Sequence, residues 1–319
     1  MAAVSIRSSA LLRTSAVGDA HPPNAFGIVM SIAQLRAAYL RQPQEISIET
    51  LALCNAACTF CPYPTLERIG TKMDDALLFD LIDQMASWQV PFFVSPFKVN
   101  EPLLDTRMAG LCRRIVEFCP AAMLRLFTNG STLVAKQLDW IQALPEERID
   151  TLWVSLNSTD PGEYAQLMQL KYEPTAKRLD ALHERKFKRE FPHIVVVSRV
   201  AQASEGSEAH QARDEAFIKG VTARWPLFEP VLIKRDGWLG YVDPMRAQIP
   251  AGPCGRWFEL NIMATGRAAL CCMDGKGEYA VGDVRTMKLL DIYNQPHLLH
   301  RREFAITRKG VDPCERCTY

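Results

Sequence analysis

The stretch EISIETLALCNAACTFCPY, residues 45–63, decides the fold prediction for this chain. Its apolar first part, Glu45–Ala52, predicts a short β-strand, and Cys54, Cys58 and Cys61 follow it directly. The three thiols are therefore expected on one loop at the carboxyl end of that strand. Three thiolates can hold three irons of a [4Fe–4S] cube, and the fourth iron then stays open to an exogenous chelating ligand.

Short apolar runs alternate with longer amphipathic stretches on both sides of this motif. Five further strands are predicted over Pro91–Phe97, Met123–Thr128, Thr151–Leu156, His193–Val200 and Glu229–Lys234. Helices are predicted over Met30–Arg41, Asp75–Trp88, Asp105–Phe118, Val134–Leu144 and Thr175–Arg189. Alternating strands and helices predict parallel βαβ units, and right-handed crossovers curl such a sheet into an open or closed barrel. The active site of such a fold forms at the carboxyl ends of the strands.

The pattern changes after about Pro244. A short hairpin is predicted from the runs Leu260–Met263, Ala268–Cys272 and Tyr279–Gly282, and helical residues are predicted over 289–304. The predicted fold class is therefore α/β, a partial (β/α)6 TIM-like barrel with a small C-terminal domain built from a β-hairpin and a helix. The predicted boundaries are 1–28 for a flexible N-terminal tail, 29–243 for the barrel and 244–319 for the small domain.

The N-terminal tail, MAAVSIRSSALLRTSAV, is rich in Ser and Ala and has no acidic residue before Asp19. This composition is typical of an organelle transit peptide and equally of a disordered bacterial N-terminus. There is no secretory signal pattern, and a cytoplasmic location is expected.

Composition narrows the function classes. Of the 319 residues, 48% are hydrophobic and 23% are charged, so a substantial core is expected. The formal net charge is +1, which gives no reason to expect nucleic acid or an anionic membrane as a partner. No apolar run reaches the length of a membrane span. The ten cysteines are clustered, and without a signal peptide this favours metal ligation over disulfides.

A CxxxCxxC motif directly after the first strand of a βα repeat resembles the signature of the radical S-adenosylmethionine (radical SAM) superfamily. In that family the open iron binds the amino and carboxylate groups of S-adenosylmethionine. One electron then cleaves the sulfonium and yields a 5′-deoxyadenosyl radical, which abstracts a substrate hydrogen. The resemblance implies S-adenosyl-L-methionine as cofactor and a catalytic [4Fe–4S] cluster on Cys54, Cys58 and Cys61. A zinc knuckle or a chance grouping is the alternative.

The second strand ends in a segment that matches the family with two departures. Asn100-Glu101-Pro102 stands where the family usually has Gly-Gly-Glu-Pro, and Val99 and Asn100 take the places of the two glycines. The resemblance implies that Glu101 binds the methionyl amino group. Without the resemblance, Glu101 is interpreted as an acidic residue at a helix N-terminus.

The other strand ends supply the remaining implied cofactor contacts. Ser155 and Asn157 after the fourth strand are expected near the ribose, and Ser198 and Arg199 on the fifth are expected near the cofactor's carboxylate. Phe60 precedes the third cysteine, where the family often has an aromatic residue near adenine, although a buried loop anchor explains it equally well. The implied cofactor-binding residues are Phe60, Asn100, Glu101, Asn129, Ser155, Asn157, Ser198 and Arg199.

The C-terminal cysteines resemble the SPASM/twitch extension found on a large radical SAM subgroup. The matching elements include a Gly266 to Cys271 run and a final CxxC. The resemblance implies a second, auxiliary [4Fe–4S] cluster, and the shorter twitch form fits because it needs one auxiliary cluster. The implied ligands are Cys254, Cys271, Cys314 and Cys317. A structural zinc site with four cysteine ligands is the alternative.

Cys272 directly follows one of these ligands. If the backbone there is strand-like, neighbouring side chains point to opposite faces, so Cys272 is expected to be a free thiol. A free thiol at the barrel mouth could give a hydrogen atom to a substrate radical, as in an epimerisation. Ordinary packing of a buried cysteine is the alternative.

These features predict a radical SAM enzyme that abstracts hydrogen from a small polar metabolite, sugar-like or aminoglycoside-like, in natural-product biosynthesis. Epimerisation or oxidation is the expected outcome, and a flavodoxin or ferredoxin is the expected electron donor. Radical modification of a ribosomally made peptide is the alternative function. A non-catalytic iron–sulfur or zinc scaffold is a more distant one.

Overall fold

A computed structural model describes residues 30–202, 207–244 and 249–319. The predicted N-terminal tail, residues 1–28, lies outside the described residues. The strands are β1 Glu45–Ile48, β2 Phe92–Ser95, β3 Ala122–Thr128, β4 Ile149–Ser155, β5 Val195–Val200, β6 Glu229–Ile233, β7 Glu259–Ile262, β8 Arg267–Ala269 and β9 Gly282–Asp283. The helices are α1 Ile32–Tyr39, α2 Asp75–Ala86, α3 Met108–Phe118, α4 Ala135–Gln142, α5 Pro161–Met168, α6 Tyr172–Phe187, α7 Glu208–Arg224, α8 Leu289–Tyr293 and α9 Pro296–Phe304.

The nine strands form one sheet in the order β6-β5-β4-β3-β2-β1-β7-β8-β9. Strands β1 to β7 pair in parallel, whereas β8 and β9 pair antiparallel. Strands β1 to β6 follow one another in space as in sequence, with helices in the connections between them. This arrangement confirms the predicted α/β fold with a parallel sheet. It also brings the carboxyl ends of these strands to one edge, where the first cysteine loop begins.

Helix α2 shows why the amphipathic stretches fold as they do. Asp74 caps its N-terminus, because the side-chain carboxylate accepts hydrogen bonds from the backbone N–H groups of Ala76 and Leu77. Its buried residues recur every three or four positions and form one stripe against the sheet. They are Leu78, Leu81, Ile82 and Met85.

The two faces of the sheet differ in chemistry. The helix-facing side contributes aliphatic residues such as Ile46, Val94 and Leu124 to the main core. Alternate residues lie on the inner side, where several charged groups form ion pairs. Arg125 bonds Glu45 at 2.8 Å, for example. A buried charge is tolerated only when it is paired in this way.

Several predicted elements differ from the observed ones. Helices α5 and α7 were not predicted. The single helix predicted over 289–304 is two helices, since Pro296 opens α9 and cannot continue the preceding hydrogen-bond ladder. The strand predicted to run to Cys272 ends at Ala269.

The C-terminal hairpin does not form a separate sheet, because β7 pairs with β1. The domain boundary near residue 244 stays a prediction. Within the described ranges, no helix combines the length and the apolar character that crossing a bilayer requires.

Candidate active site

The loop that carries Cys58 is fixed to the end of α5. The backbone N–H of Ala57 donates to the carbonyl of Met168 at 3.4 Å, and that of Thr59 donates to the carbonyl of Leu167 at 3.0 Å. The Cys58 thiol lies 3.7 Å from the Met168 sulfur. Helix α5, which the sequence did not predict, therefore positions the first cysteine loop.

The three thiols of this loop are free and partly buried. Burial raises the pKa of Cys54 to about 11 and that of Cys61 to about 12. The pKa of Cys58 is raised by burial and then by the negative charges of the other two. Metal centres bind the thiolate, so these protons would leave when a cluster binds. Three free thiols grouped on one loop fit the predicted cluster ligation.

Glu101 lies beside this loop with its carboxylate almost fully buried, at 2% exposure. Its Oε1 accepts from the Leu103 backbone at 3.3 Å and from the hydroxyls of Thr128 at 2.8 Å and Thr132 at 3.0 Å. Its Oε2 accepts from the Asn129 backbone at 2.7 Å. Burial raises the pKa of Glu101, and a cationic amino group beside the carboxylate would oppose this rise.

Two asparagines extend this polar group toward the cysteines. The Asn129 side chain donates to Asn55 at 2.9 Å, and its nitrogen lies 4.0 Å from the Cys54 sulfur. The Nδ2 of Asn100 is buried and has no hydrogen-bond partner among the described residues. An unpaired buried donor is costly. A carboxylate bound near Glu101 would satisfy it, so this corner fits the zwitterionic end of an amino acid.

The two predicted serines lie opposite each other on neighbouring strands. Ser155 of β4 is in register with Ser198 of β5. The Ser198 hydroxyl accepts a hydrogen bond from the Trp153 indole at 2.8 Å, and Trp153 lies 5.9 Å from Phe127 between ring centroids. The serines therefore line the inner side of the sheet with an aromatic row, and their cofactor contacts stay predictions.

Arg199 points the other way, toward the helices. Its guanidinium bonds Glu163 of α5 at 2.9 Å and Asp214 of α7 at 3.3 Å, and only 1% of the residue is exposed. Asn157, with a φ of 66°, accepts from the Val200 backbone through its side chain at 2.8 Å and receives the Arg199 guanidinium on its carbonyl. The expected contact of Arg199 with the cofactor is not favoured by these pairings, because neighbouring strand residues face opposite sides.

The four predicted auxiliary ligands converge on one cavity. Its lining includes Cys254, Cys271, Cys314 and Cys317 together with Arg256, Trp257 and Arg308. Burial raises the pKa of Cys254 to about 12, and the Arg308 charge opposes this rise. The pKa of Cys271 is raised by burial and by the negative charges of neighbouring thiolates. Four free thiols around one cavity, with cations beside them, fit an anionic iron–sulfur centre.

Cys272 lies outside the lining of that cavity, in the turn after β8. Its pKa is raised to about 12 by burial; the positive charges of Arg256 and Lys98 lower this pKa, and the negative charge of Glu259 raises it further. The expectation of a strand-like backbone at this position was wrong. The assignment of Cys271 as ligand and Cys272 as free thiol stays a prediction.

The loops that carry the two cysteine groups contact each other. A methyl group on Gly275 would lie 2.9 Å from Cγ of Pro62 and 3.2 Å from the Trp238 ring, so only glycine fits there without a shift. Pro62 directly follows Cys61. Trp238, Cys54 and Cys61 also pack against one buried cluster, formed by Tyr63, Leu66 and Val99. The two cysteine-bearing loops therefore meet at one tight packing contact.

Among the described residues, no three His, Cys, Asp or Glu side chains are arranged to hold a single metal ion.

Profile comparison places both cysteine groups in known domains. The Radical SAM superfamily profile matches residues 48–200. The profile of SPASM, an iron–sulfur cluster-binding domain, matches residues 254–318. The chain belongs to the radical SAM superfamily. Its two domains imply S-adenosylmethionine and iron–sulfur clusters as cofactors.

A curated relative matches part of this radical SAM enzyme. The S-adenosyl-L-methionine-dependent 2-deoxy-scyllo-inosamine dehydrogenase of Niallia circulans is 31% identical over 100 residues. The matched stretch covers 31% of this chain and 40% of that protein.

Solved structures share the fold at low identity. BtrN in complex with AdoMet and 2-DOIA superimposes with a TM-score of 0.58 and 17% identity, covering 86% of this chain and 93% of that one. Streptococcus suis SuiB bound to the precursor peptide SuiA superimposes with a TM-score of 0.63 and 13% identity, covering 85% of this chain and 70% of that one. The anSMEcpe complex with AdoMet and the Cp18Cys peptide superimposes with a TM-score of 0.59 and 11% identity, covering 82% of this chain and 83% of that one.

Sequence reasoning missed two residues of this radical SAM site. Lys98, at 4% exposure, lies just after β2 and donates to backbone carbonyls of the Cys271 loop. Burial lowers the pKa of Lys98, and the negative charge of Glu49 opposes this. Glu49, fully buried, accepts from both Arg68 and the backbone of Val99. Both residues could have been noticed in the sequence, because each places a charged side chain at the end of an apolar strand. An ionised side chain buried there needs polar partners.

Proposed function

We propose that this radical SAM enzyme oxidises a small polar metabolite, sugar-like or aminoglycoside-like, in natural-product biosynthesis. The observation that carries the proposal is the contact between the two cysteine loops at Pro62 and Gly275. A substrate held near the first site lies close to the second across this contact. An oxidation needs such proximity, because the substrate must lose a second electron after its hydrogen atom.

The residues around the first site have distinct proposed roles. Cys54, Cys58 and Cys61 hold a [4Fe–4S] cluster. Glu101 binds the amino group of S-adenosylmethionine through its buried carboxylate, and the unpaired Nδ2 of Asn100 donates to the carboxylate of the same ligand. Charge-assisted hydrogen bonds of this kind are the stronger class and fix a ligand's orientation.

Cys254, Cys271, Cys314 and Cys317 hold a second [4Fe–4S] cluster in this proposal. When bound, the first cluster and S-adenosylmethionine supply a 5′-deoxyadenosyl radical that abstracts a hydrogen atom, and the second cluster supplies an electron acceptor. The chain's own residues orient the reactants and exclude water.

Oxidation is preferred over epimerisation because the curated relative is a dehydrogenase. The substrate then loses two hydrogen atoms: the 5′-deoxyadenosyl radical takes one as an atom, and the other leaves as a proton, released to solvent, and an electron, accepted by the second cluster. Epimerisation through Cys272 leaves the mass of the substrate unchanged, so the two outcomes are separable. A flavodoxin or ferredoxin is the proposed electron donor, in the cytoplasm, and no nucleic-acid or membrane partner is proposed.

The test is turnover by anaerobically reconstituted protein with S-adenosylmethionine, a reducing system and a panel of amino-sugars and amino-cyclitols. We expect 5′-deoxyadenosine and an equal amount of a product that is lighter by two hydrogens. A product of unchanged mass points to epimerisation. Cross-linking or oxidation of a short peptide, with all small molecules inert, favours the peptide alternative. Protein that never cleaves S-adenosylmethionine contradicts the enzyme proposal.

A further inference from the structure

The side chain of Lys98 joins the segment that carries Glu101 to the loop that carries Cys271. Its Nζ lies 3.4 Å from the carbonyl oxygen of Cys271, 3.3 Å from that of Cys272 and 3.0 Å from that of Asp274. These partners are 173 to 176 positions away in the sequence. One buried side chain therefore connects two segments that are far apart in the sequence.

The three carbonyl oxygens around Nζ favour the protonated form of Lys98 against the effect of burial. An ammonium has three N–H donors and no acceptor, and it faces three carbonyl oxygens. A neutral amine has only two N–H groups, so its lone pair would face one carbonyl lone pair. The carbonyls therefore hold a positive charge beside the backbone of a proposed cluster ligand.

The other end of the segment is fixed just as firmly. The Val99 N–H donates to the Glu49 carboxylate at 3.4 Å, and the same carboxylate accepts from the Ala264 backbone at 3.1 Å and from Arg68 at 2.7 Å. Arg68 neutralises Glu49 through a two-pronged ion pair. The Lys98 charge is therefore offset only in part, by the carboxylates of Glu49 and Asp274, where it meets the Cys271 loop.

We propose that Lys98 is a positioning residue that locks the auxiliary loop to the Glu101 segment and raises the reduction potential of the auxiliary cluster. A fixed positive charge favours the more negative, reduced form of a cluster, and net charge and hydrogen bonding are established determinants of cluster potential. This inference rests on the proposed function, because it requires the second cluster. A higher potential makes that cluster a better acceptor for the substrate's second electron.

The experiment measures the midpoint potential of the auxiliary cluster alone. In the Cys54→Ala, Cys58→Ala, Cys61→Ala background, reductive titration followed by electron paramagnetic resonance reports only the second site. Lys98→Met in that background is expected to shift the midpoint to more negative potential, with iron content and circular dichroism unchanged. Lys98→Gln, which keeps donors but not charge, is expected to shift it in the same direction. Lys98→Arg is the matched control and is expected to stay near the parent.

The outcomes separate this inference from the function it rests on. A loaded cluster whose midpoint is the same in Lys98→Met, Lys98→Gln and the parent overturns the role of Lys98 and leaves the second cluster intact. Zinc in the Cys54→Ala, Cys58→Ala, Cys61→Ala protein, with no iron or sulfide, overturns both the role of Lys98 and the proposed second cluster. Loss of the cluster in Lys98→Met and Lys98→Gln but not in Lys98→Arg supports the positioning role.

Discussion

The backbone N–H of Asn129 donates to Oε2 of Glu101 at 2.7 Å, which ties the end of β3 to the end of β2. The Asn129 side chain in turn reaches toward the Cys54 sulfur. A buried carboxylate is thereby fixed next to the first cysteine loop before any ligand arrives. Such preorganisation is what a cofactor site requires.

Glu101→Gln is expected to weaken S-adenosylmethionine binding by about tenfold or more, since a hydrogen bond to a charged group is worth roughly 1.5–3 kcal/mol. The matched control is Thr132→Val, which removes one donor to the carboxylate but keeps its charge. That variant is expected to bind S-adenosylmethionine within a few-fold of the parent. Anaerobic equilibrium dialysis measures both, and equal affinities for Glu101→Gln and the parent would contradict the role of Glu101.

Replacing Cys54, Cys58 and Cys61 together by Ala is expected to abolish 5′-deoxyadenosine formation, because the catalytic cluster loses all its protein ligands. Some iron is expected to remain at the second site. Chromatography of the reaction and iron analysis of the purified protein provide the readouts. If the triple variant still cleaves S-adenosylmethionine, the assignment of these cysteines is wrong.

Anaerobically reconstituted parent protein is expected to contain about eight irons per chain, four from each cube. Cys314→Ala with Cys317→Ala is expected to lose the iron of the second site, because half of its proposed ligands disappear. Iron, sulfide and zinc are measured on the same samples. Zinc in the triple variant, without iron or sulfide, would identify the structural zinc site instead.

Cys272→Ala tests hydrogen donation by the free thiol. If Cys272 supplies a hydrogen atom to a substrate radical, the variant retains S-adenosylmethionine cleavage but loses the reduced product. Product analysis in deuterated water gives the measurement, because a thiol hydrogen exchanges with solvent. Unchanged turnover and unchanged deuterium incorporation would remove Cys272 from the chemistry and leave it as a packing residue.

Arg199→Met is expected to lower the free energy of unfolding by about 3 kcal/mol, near the low end for breaking a buried ion pair because Glu163 is partly exposed. S-adenosylmethionine affinity is expected to stay within a few-fold of the parent. Chemical denaturation and anaerobic binding measurements give the two readouts. A large loss of affinity at unchanged stability would instead restore Arg199 as a cofactor ligand.

The same pair gives a pH dependence. Burial raises the pKa of Glu163, but hydrogen bonds from Arg199 and Ser158 outweigh it and hold the pKa below its ordinary value of 4.5. A depressed carboxyl pKa stabilises the fold above the unfolded-state pKa, and this contribution disappears as the pH falls through the folded-state pKa. Parent stability is therefore expected to fall below about pH 4.5, with a shallower fall in Arg199→Met.

The resemblance to the family was visible in the sequence, because the cysteine spacing after the first strand and the residues at the strand ends are local properties of the sequence. The order of strands and helices likewise determined the α/β sheet. The short helix α5 was not predicted, although it holds the Cys58 loop through Met168 and Leu167. It begins at Pro161, after an Asp160 cap, and is only eight residues long, so its periodicity is weak.

Tertiary structure alone decided which polar residues meet. The sequence predicted Ser198 and Arg199 together near the cofactor, but their side chains face opposite sides of β5. The ion pairs of Arg199 with Glu163 and Asp214 show that Arg199 faces the helices and Ser198 the inner side of the sheet. Lys98 meets the Cys271 loop because β7 pairs with β1 and returns the C-terminal segment to the first strand. Local patterns determine elements and ligand spacing, whereas contacts between distant residues depend on strand order, which no local pattern contains.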